Sequence, residues 1–179
     1  VRRCADRAME RMHHFLDRVE LLVGDVTDQT SLERVIGLTE PDEIYNFAGM
    51  TFVPDSWLHP EAVLRTNGLG PVYLLETMRI YAPKARLYQA SSSEMFGNTG
   101  LEALRQHEGS PMVPVSPYGC AKLYAHRMVG AYRLQYGLHA SCGIAFNHES
   151  PRRGMQFVTR KITRALARMT LKSEERLVL

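Results

Sequence analysis

Short apolar runs alternate with helix-period patterns along most of this chain. Residues 19–23 (Val-Glu-Leu-Leu-Val) predict a strand, residues 25–28 a turn, and residues 31–38 a helix. Residues 43–47 predict a second strand ending at Ala48-Gly49. A polar loop with Pro54 and Pro60 leads to a helical pattern over 63–81, and residues 86–90 form a third strand running into Ser91-Ser92-Ser93. Residues 97–117 carry Gly and Pro breakers and few periodic positions, so a loop is expected there. Ser116-Pro117 then opens a long helix that Gly137 suits as a C-terminal cap. Residues 139–146 read as a fourth strand, 147–154 as a polar loop and 157–171 as a basic helix.

Alternation of apolar strands with helices implies an α/β fold with a parallel sheet covered on both faces. Ligands of such folds bind beyond the carboxyl ends of the strands. Four polar segments, 25–26, 48–51, 91–94 and 147–153, fall at those predicted ends and can build one site.

Composition narrows the class. A chain of 179 residues with 45% hydrophobic and 23% charged residues fits one domain with a sizeable core. The net charge of +3 is mild and does not point to nucleic acid. The basic face of Arg160, Lys161, Arg164 and Arg168 reads as solvated or near an anionic ligand. Cys4, Cys120 and Cys142 are scattered, which argues against a disulfide framework and a zinc site and favours a reducing cytoplasm. His13-His14 lacks a companion ligand cluster, so no metal is expected. No apolar run reaches membrane-spanning length, and no signal peptide is visible. The chain starts at Val1 without a Met, and residues 176–179 read as the beginning of a strand, so a fragment of a longer protein is expected.

Tyr118 and Lys122 stand at i and i+4 and share a helix face. An ammonium beside a phenol favours the phenolate and lowers its pKa from about 10. Such a phenol can serve as a general base on a hydroxyl. The pair alone is a weak signal. It follows a strand ending in Ser91-Ser92-Ser93-Glu94, and this order resembles short-chain dehydrogenases, whose serine hydroxyl meets the substrate oxygen that the tyrosine deprotonates.

The resemblance then becomes specific. Residues 88–97 (Tyr-Gln-Ala-Ser-Ser-Ser-Glu-Met-Phe-Gly) look like the catalytic strand of GDP-mannose 4,6-dehydratases. Residues 116–125 (Ser-Pro-Tyr-Gly-Cys-Ala-Lys-Leu-Tyr-Ala) resemble their catalytic helix, and 146–154 (Phe-Asn-His-Glu-Ser-Pro-Arg-Arg-Gly) resemble their most discriminating block. Residues 24–28 and 43–49 also fit, and the similarity runs from Arg2-Arg3 to Leu179. The fold it implies is a Rossmann-like doubly wound parallel sheet, incomplete at both ends. Residues 1–179 would then form part of one NAD(P)-binding domain.

The resemblance also implies roles. Tyr118 would take the proton of the sugar 4-hydroxyl, Lys122 would lower the phenol's pKa and hold the nicotinamide ribose, and Ser92, where the family commonly has Thr, would hydrogen-bond O4. Glu94 would remove the C5 proton and assist loss of water from C6; this residue separates a dehydratase from an epimerase or reductase. NADP is the implied cofactor. Arg2 and Arg3 would read its 2′-phosphate, Asp25 and Val26 its adenine, and Phe47, Ala48, Gly49, Met50 and Thr51 its ribose and nicotinamide side. His148 and Arg153 resemble further cofactor contacts, and Ser93 and Asn147 contacts to GDP-mannose. Full-length members commonly form dimers or tetramers.

Several features depart from the family pattern. The Gly-rich strand–turn–helix for the pyrophosphate would precede Val1, and the rest of the sugar pocket would follow Leu179. Met50-Thr51-Phe52 stands near the family's Gln-Ser-His, Ala62 aligns with a Tyr, and the loop over 98–111 is slightly longer. The chain alone is therefore expected to bind NADP poorly and to turn over little. Two alternatives stay open: a related nucleotide-sugar dehydratase, epimerase or reductase, and a non-catalytic remnant acting as a binding or assembly module.

Overall fold

The structure, a computed structural model, describes residues 13–98 and 105–170. They divide into two compact units, one reaching Phe146 and one beginning at Asn147.

The first unit is built on three parallel strands in the order β1 (Glu43–Asn46), β2 (Arg86–Ser92) and β3 (Ala140–Ala145). Register pairs Tyr45 with Tyr88 and Gln89 with Cys142. The helices are α1 (Gln29–Thr39), the short α2 (Asp55–Leu58) and α3 (Pro60–Val63), then α4 (Gly70–Tyr81) and the long α5 (Pro117–Tyr136). Leu32 and Ile36 of α1, Leu75 and Met78 of α4, Leu87 of β2 and Val129 of α5 form the main core. On the opposite side of β1 and β2, Tyr88 meets the rings of Tyr45 and Phe47 at centroid distances of 6.1 and 5.6 Å. Gly143 on β3 lies so close to Tyr88 that a Cβ there would collide with the phenol.

Helix ends follow local chemistry. Asp28 caps α1 through Ser31 N at 3.3 Å. Ser116 caps α5 through Gly119 N at 3.0 Å, with Pro117 in the first turn. Gly137 ends α5 in the left-handed region at φ 67°, its N–H donating to Arg133 O.

Two expectations need correction. Residues 19–23 form no strand. A strand exists only as a ladder, and β1 pairs on one side with β2 and with no second strand among the described residues. Val23 is accordingly 83% exposed. The helix expected over 63–81 starts earlier, at Pro60, and is interrupted by a π-helical segment, Leu64–Leu69. Pro71 supplies the cause: it has no N–H for the carbonyl four residues back, and its ring crowds that carbonyl, which belongs to Asn67. The interruption turns Asn67 inward, where it is 1% exposed.

The second unit holds α6 (Val158–Thr170), one residue inside the expected helix at its start. Among the described residues, no helix is long and apolar enough to cross a membrane.

Candidate active site

The candidate site lies at the carboxyl ends of β1 and β2, where ligands of parallel sheets bind. Ser92 closes β2, and the chain tightens at once into a 3₁₀ turn, Ser93–Met95, capped by Ser92 Oγ accepting from Glu94 N at 3.2 Å. This turn places the Ser92 hydroxyl and Glu94 on consecutive bends of one short segment. The first turn of α5 packs directly against it. A Cβ on Gly119 would lie 2.7 Å from Glu94 O and 3.0 Å from Pro114 Cβ, so only glycine permits that approach.

The approach brings Tyr118 near Ser92, whose hydroxyl acts to lower the phenol's pKa. Tyr118 is buried, packed with Val63 and Ala121 and against Met50 and Val53. Lys122, one turn on and 5% exposed, sets its ammonium 5.8 Å from the Tyr118 ring centroid and donates to Ala90 O at 2.9 Å.

The electrostatics differ from the sequence-based expectation. Burial raises the Tyr118 pKa above 10.0; the Ser92 hydrogen bond pulls it down and the nearby Glu94 carboxylate pushes it up. Lys122 does not lower the phenol in this chain. Burial lowers the lysine's own pKa, and its Nζ is engaged with Ala90 O. Desolvation penalises both charged forms, so the resting pair favours a neutral phenol.

The loop following β1 is pinned from two sides. Asn46 Oδ1 accepts from Ala48 N at 3.1 Å. Asn67, from the π-helical segment, accepts from Met50 N and donates to Met50 O, each at 2.8 Å. A Cβ on Gly49 would lie 2.9 Å from Asn67 Oδ1 and 3.8 Å from Lys122 Nζ, so this backbone runs beside the lysine. Phe47, Ala48, Gly49, Met50 and Thr51 therefore share the sheet edge with Ser92, Ser93, Glu94, Tyr118 and Lys122.

Asp25 Oδ1 accepts from Thr27 N and Thr27 Oγ1 at 2.9 and 2.8 Å, and Asp25 N donates to Ser31 Oγ at 3.0 Å. Val26 packs against the start of α4, within 3.2 Å of a Cβ on Gly70. In the second unit, Asn147 and His148 are exposed. Arg153 pairs with Glu149 at 3.2 Å and lies over the Phe157 ring at 3.5 Å. Arg2 and Arg3 lie outside the described residues.

Sequence reasoning missed Asn46, Asn67, Gln89 and His126. Gln89 is a polar residue at a position alternating with Leu87 and Ser91, and that break in the apolar face was its signal. His126, one turn past Lys122, meets Ser91 Oγ through Nδ1 at 3.0 Å.

A parallel α/β sheet with a buried Tyr-Lys pair and a serine at its carboxyl edge defines a Rossmann-like fold of the dehydratase and epimerase kind. Its solved neighbours agree. A dTDP-glucose 4,6-dehydratase from Bacillus anthracis, solved with NAD, shares 27% identity and a TM-score of 0.76 over 89% of this chain and 49% of that one. The protein RMD from Pseudomonas aeruginosa, solved with NADPH, has a TM-score of 0.80 at 24% identity, over 91% of this chain and 57% of that one. The GDP-mannose 4,6 dehydratase family model matches residues 1–179. The enzyme of that name from Sinorhizobium fredii is 47% identical over 90% of this chain and 46% of its own length. GDP-mannose 4,6 dehydratase 1 of Arabidopsis thaliana is 40% identical over 100% of this chain and 52% of its own length. This chain belongs to the GDP-mannose 4,6-dehydratase family. It spans about half the length of the curated relatives it matches.

Proposed function

We propose that the protein carrying this chain converts GDP-mannose to GDP-4-keto-6-deoxy-mannose, with NADP as cofactor. The observation that carries the reading is the packing of the Tyr118 turn of α5 on the Ser92–Glu94 turn, where a Cβ on Gly119 would lie 2.7 Å from Glu94 O. That trio serves an oxidation at C4 followed by proton removal at C5. The family match supplies the substrate.

The described residues fit the nicotinamide end of a dinucleotide. A buried lysine lies beside a fixed glycine-containing backbone that approaches it closely. Arg2, Arg3, Asp25, Val26, His148 and Arg153 are proposed as its other contacts, and Ser93 and Asn147 as contacts to the nucleotide-sugar. NADP, if bound there, would supply a reversible hydride acceptor for the sugar.

The chain's own groups handle the protons. Tyr118 takes the 4-hydroxyl proton and later restores nothing to C4, because the carbonyl persists in the product. Ser92 holds O4 during that transfer. Lys122 would hold the nicotinamide ribose. Glu94 removes the C5 proton, acidified by the 4-keto group, and delivers a proton to the departing C6 hydroxyl as water. A hydride at C6 and, at C5, the proton that Tyr118 took from the 4-hydroxyl would complete the product and return the tyrosine to its starting state, so the net change is loss of one water.

The same resemblance underlies assembly as a dimer or tetramer and a cytoplasmic setting. Cys120 and Cys142 are free thiols, which accords with a reducing compartment.

The test is product analysis on the full-length protein with GDP-mannose and NADP. A 4-keto-6-deoxy product lighter by one water is expected. A Glu94→Gln variant should still give a burst of reduced nicotinamide while losing dehydration. A 4-epimer from the unaltered enzyme would overturn the reading. The 179-residue chain alone is expected to bind NADP weakly, and tight binding by it would contradict that part.

A further inference from the structure

A run of buried amides joins Lys122 to the loop after β1. Lys122 Nζ donates to Ala90 O at 2.9 Å, and the same carbonyl accepts from Gln89 Nε2 at 3.1 Å. Gln89 Oε1 accepts from Asn46 Nδ2 at 2.7 Å, and Asn46 Oδ1 accepts from Ala48 N at 3.1 Å. Gln89 is 1% exposed and Asn46 is 5% exposed. The Ala48 N–H turns back onto the side chain of Asn46, the last residue of β1, and the ladder between β1 and β2 ends at the Asn46–Gln89 pair.

We infer that Asn46 and Gln89 are positioning residues, which fix the Lys122 ammonium against Ala90 O and hold it in register with the Ala48–Met50 backbone that faces the cofactor. This rests on the reading of the site given above. Three observations support it. Both amides are buried at a core-facing position of a sheet, where a polar group is costly unless it is bonded. Each uses donor and acceptor within one connected path, so the orientation of each fixes the next. The path ends at the site's lysine on one side and at its loop on the other. Apolar residues would serve packing alone equally well. Neither amide touches substrate or cofactor in this assignment; both act through Lys122 and the loop.

The experiment compares three variants of the full-length protein. Gln89→Met leaves the Asn46 amide orphaned, so stability and activity fall together. The double variant Asn46→Leu, Gln89→Met removes both partners of the buried amide pair and frees only the half-buried Ala48 N–H, so it should cost less stability than the orphaned amide. Its stability should recover towards the unaltered protein, while kcat stays down by about 10-fold or more and NADP affinity falls with it; KM for GDP-mannose should change little. Gln89→Glu keeps an acceptor for Asn46 but places a carboxyl group one peptide from the lysine. It should raise the Lys122 titration midpoint by about 1 unit, read by carbon NMR of the lysine ε-carbons without substrate. Tyr118 and Glu94 are the other ionisable groups of the site and are followed in the same titration.

Recovery of kcat alongside stability in the double variant would overturn the inference and reduce the amides to packing. Should that variant fail to fold, Gln89→Glu decides alone: an unmoved Lys122 midpoint overturns it. Failure of the unaltered enzyme to dehydrate GDP-mannose would instead count against the proposed function, because the lysine titration needs no substrate.

Discussion

Gly119 and Glu94 meet through their backbones: a Cβ on the glycine would lie 2.7 Å from the glutamate carbonyl oxygen. The close approach seats α5 on the turn after β2, and it sets Tyr118 beside Ser92. Gly119→Ala should therefore move the helix or the turn. Backbone cannot yield as a flexible side chain does, so overpacking of about 1–3 kcal/mol is expected. Urea denaturation of the variant should show that loss, and activity of the full-length enzyme should fall further than stability alone explains. Unchanged midpoint and activity would mean that the helix packs elsewhere.

Asn67 offers a second test. Its amide satisfies both the N–H and the C=O of Met50 from a buried position. Asn67→Leu leaves two peptide groups without those partners, at about 1–3 kcal/mol each if they stay dry. Asn67→Asp keeps the acceptor for Met50 N and should cost less. Denaturant midpoints of the two variants order them, and the reverse order would remove Asn67 from this role.

Much of this arrangement was legible beforehand, for reasons that differ by element. The caps of α5 follow from Ser116, Pro117 and Gly137, residues whose local chemistry needs no tertiary context. Strands β1 to β3 carry apolar runs and were placed within two residues. The strand expected at 19–23 failed because pairing is not a property of the segment itself. The π-helical turn was hidden for a related reason: Pro71 signals an interruption, but not which side chain turns inward. At the site, Ser92, Glu94, Tyr118 and Lys122 came from spacing and resemblance. The raised phenol pKa did not, because i,i+4 spacing gives proximity and says nothing of desolvation. Asn46 and Gln89 lie 43 positions apart, and only the register of β1 on β2 joins them.

Tyr118 gives a pH prediction with a definite sign. Its pKa lies above 10.0 because burial and Glu94 outweigh the Ser92 hydrogen bond. Ser92→Ala removes the one contribution that lowers it, so the midpoint should rise further. Ser92→Thr keeps a hydroxyl and should leave it in place. Tyrosinate absorbance of the isolated chain, with Tyr118→Phe as the reference, reads this directly. In the full-length enzyme the acid limb of kcat should move to higher pH in Ser92→Ala, and Tyr118→Phe should lose about 100- to 10,000-fold in kcat. A midpoint that drops in Ser92→Ala would reverse the assignment of that hydrogen bond.

His126 predicts how stability itself depends on pH. Its pKa is lowered from 6.5, first by burial and then by Arg127 and Arg133. Ser91 Oγ meets its Nδ1, and Cys142 Sγ lies 4.0 Å from its carbonyl oxygen. The folded state therefore binds the proton less readily than the unfolded chain. Between the folded and unfolded pKa values the unfolded chain carries more protons, so stability rises with pH. The contribution is complete above the unfolded value of about 6.5 and is lost as pH falls towards the depressed folded value. Urea midpoints of the chain should thus be lower at about pH 5 than at about pH 7.5, and His126→Asn, which cannot take up the charge, should narrow the gap. A gap of the same size in His126→Asn would assign the acid sensitivity to other groups and remove His126 from it.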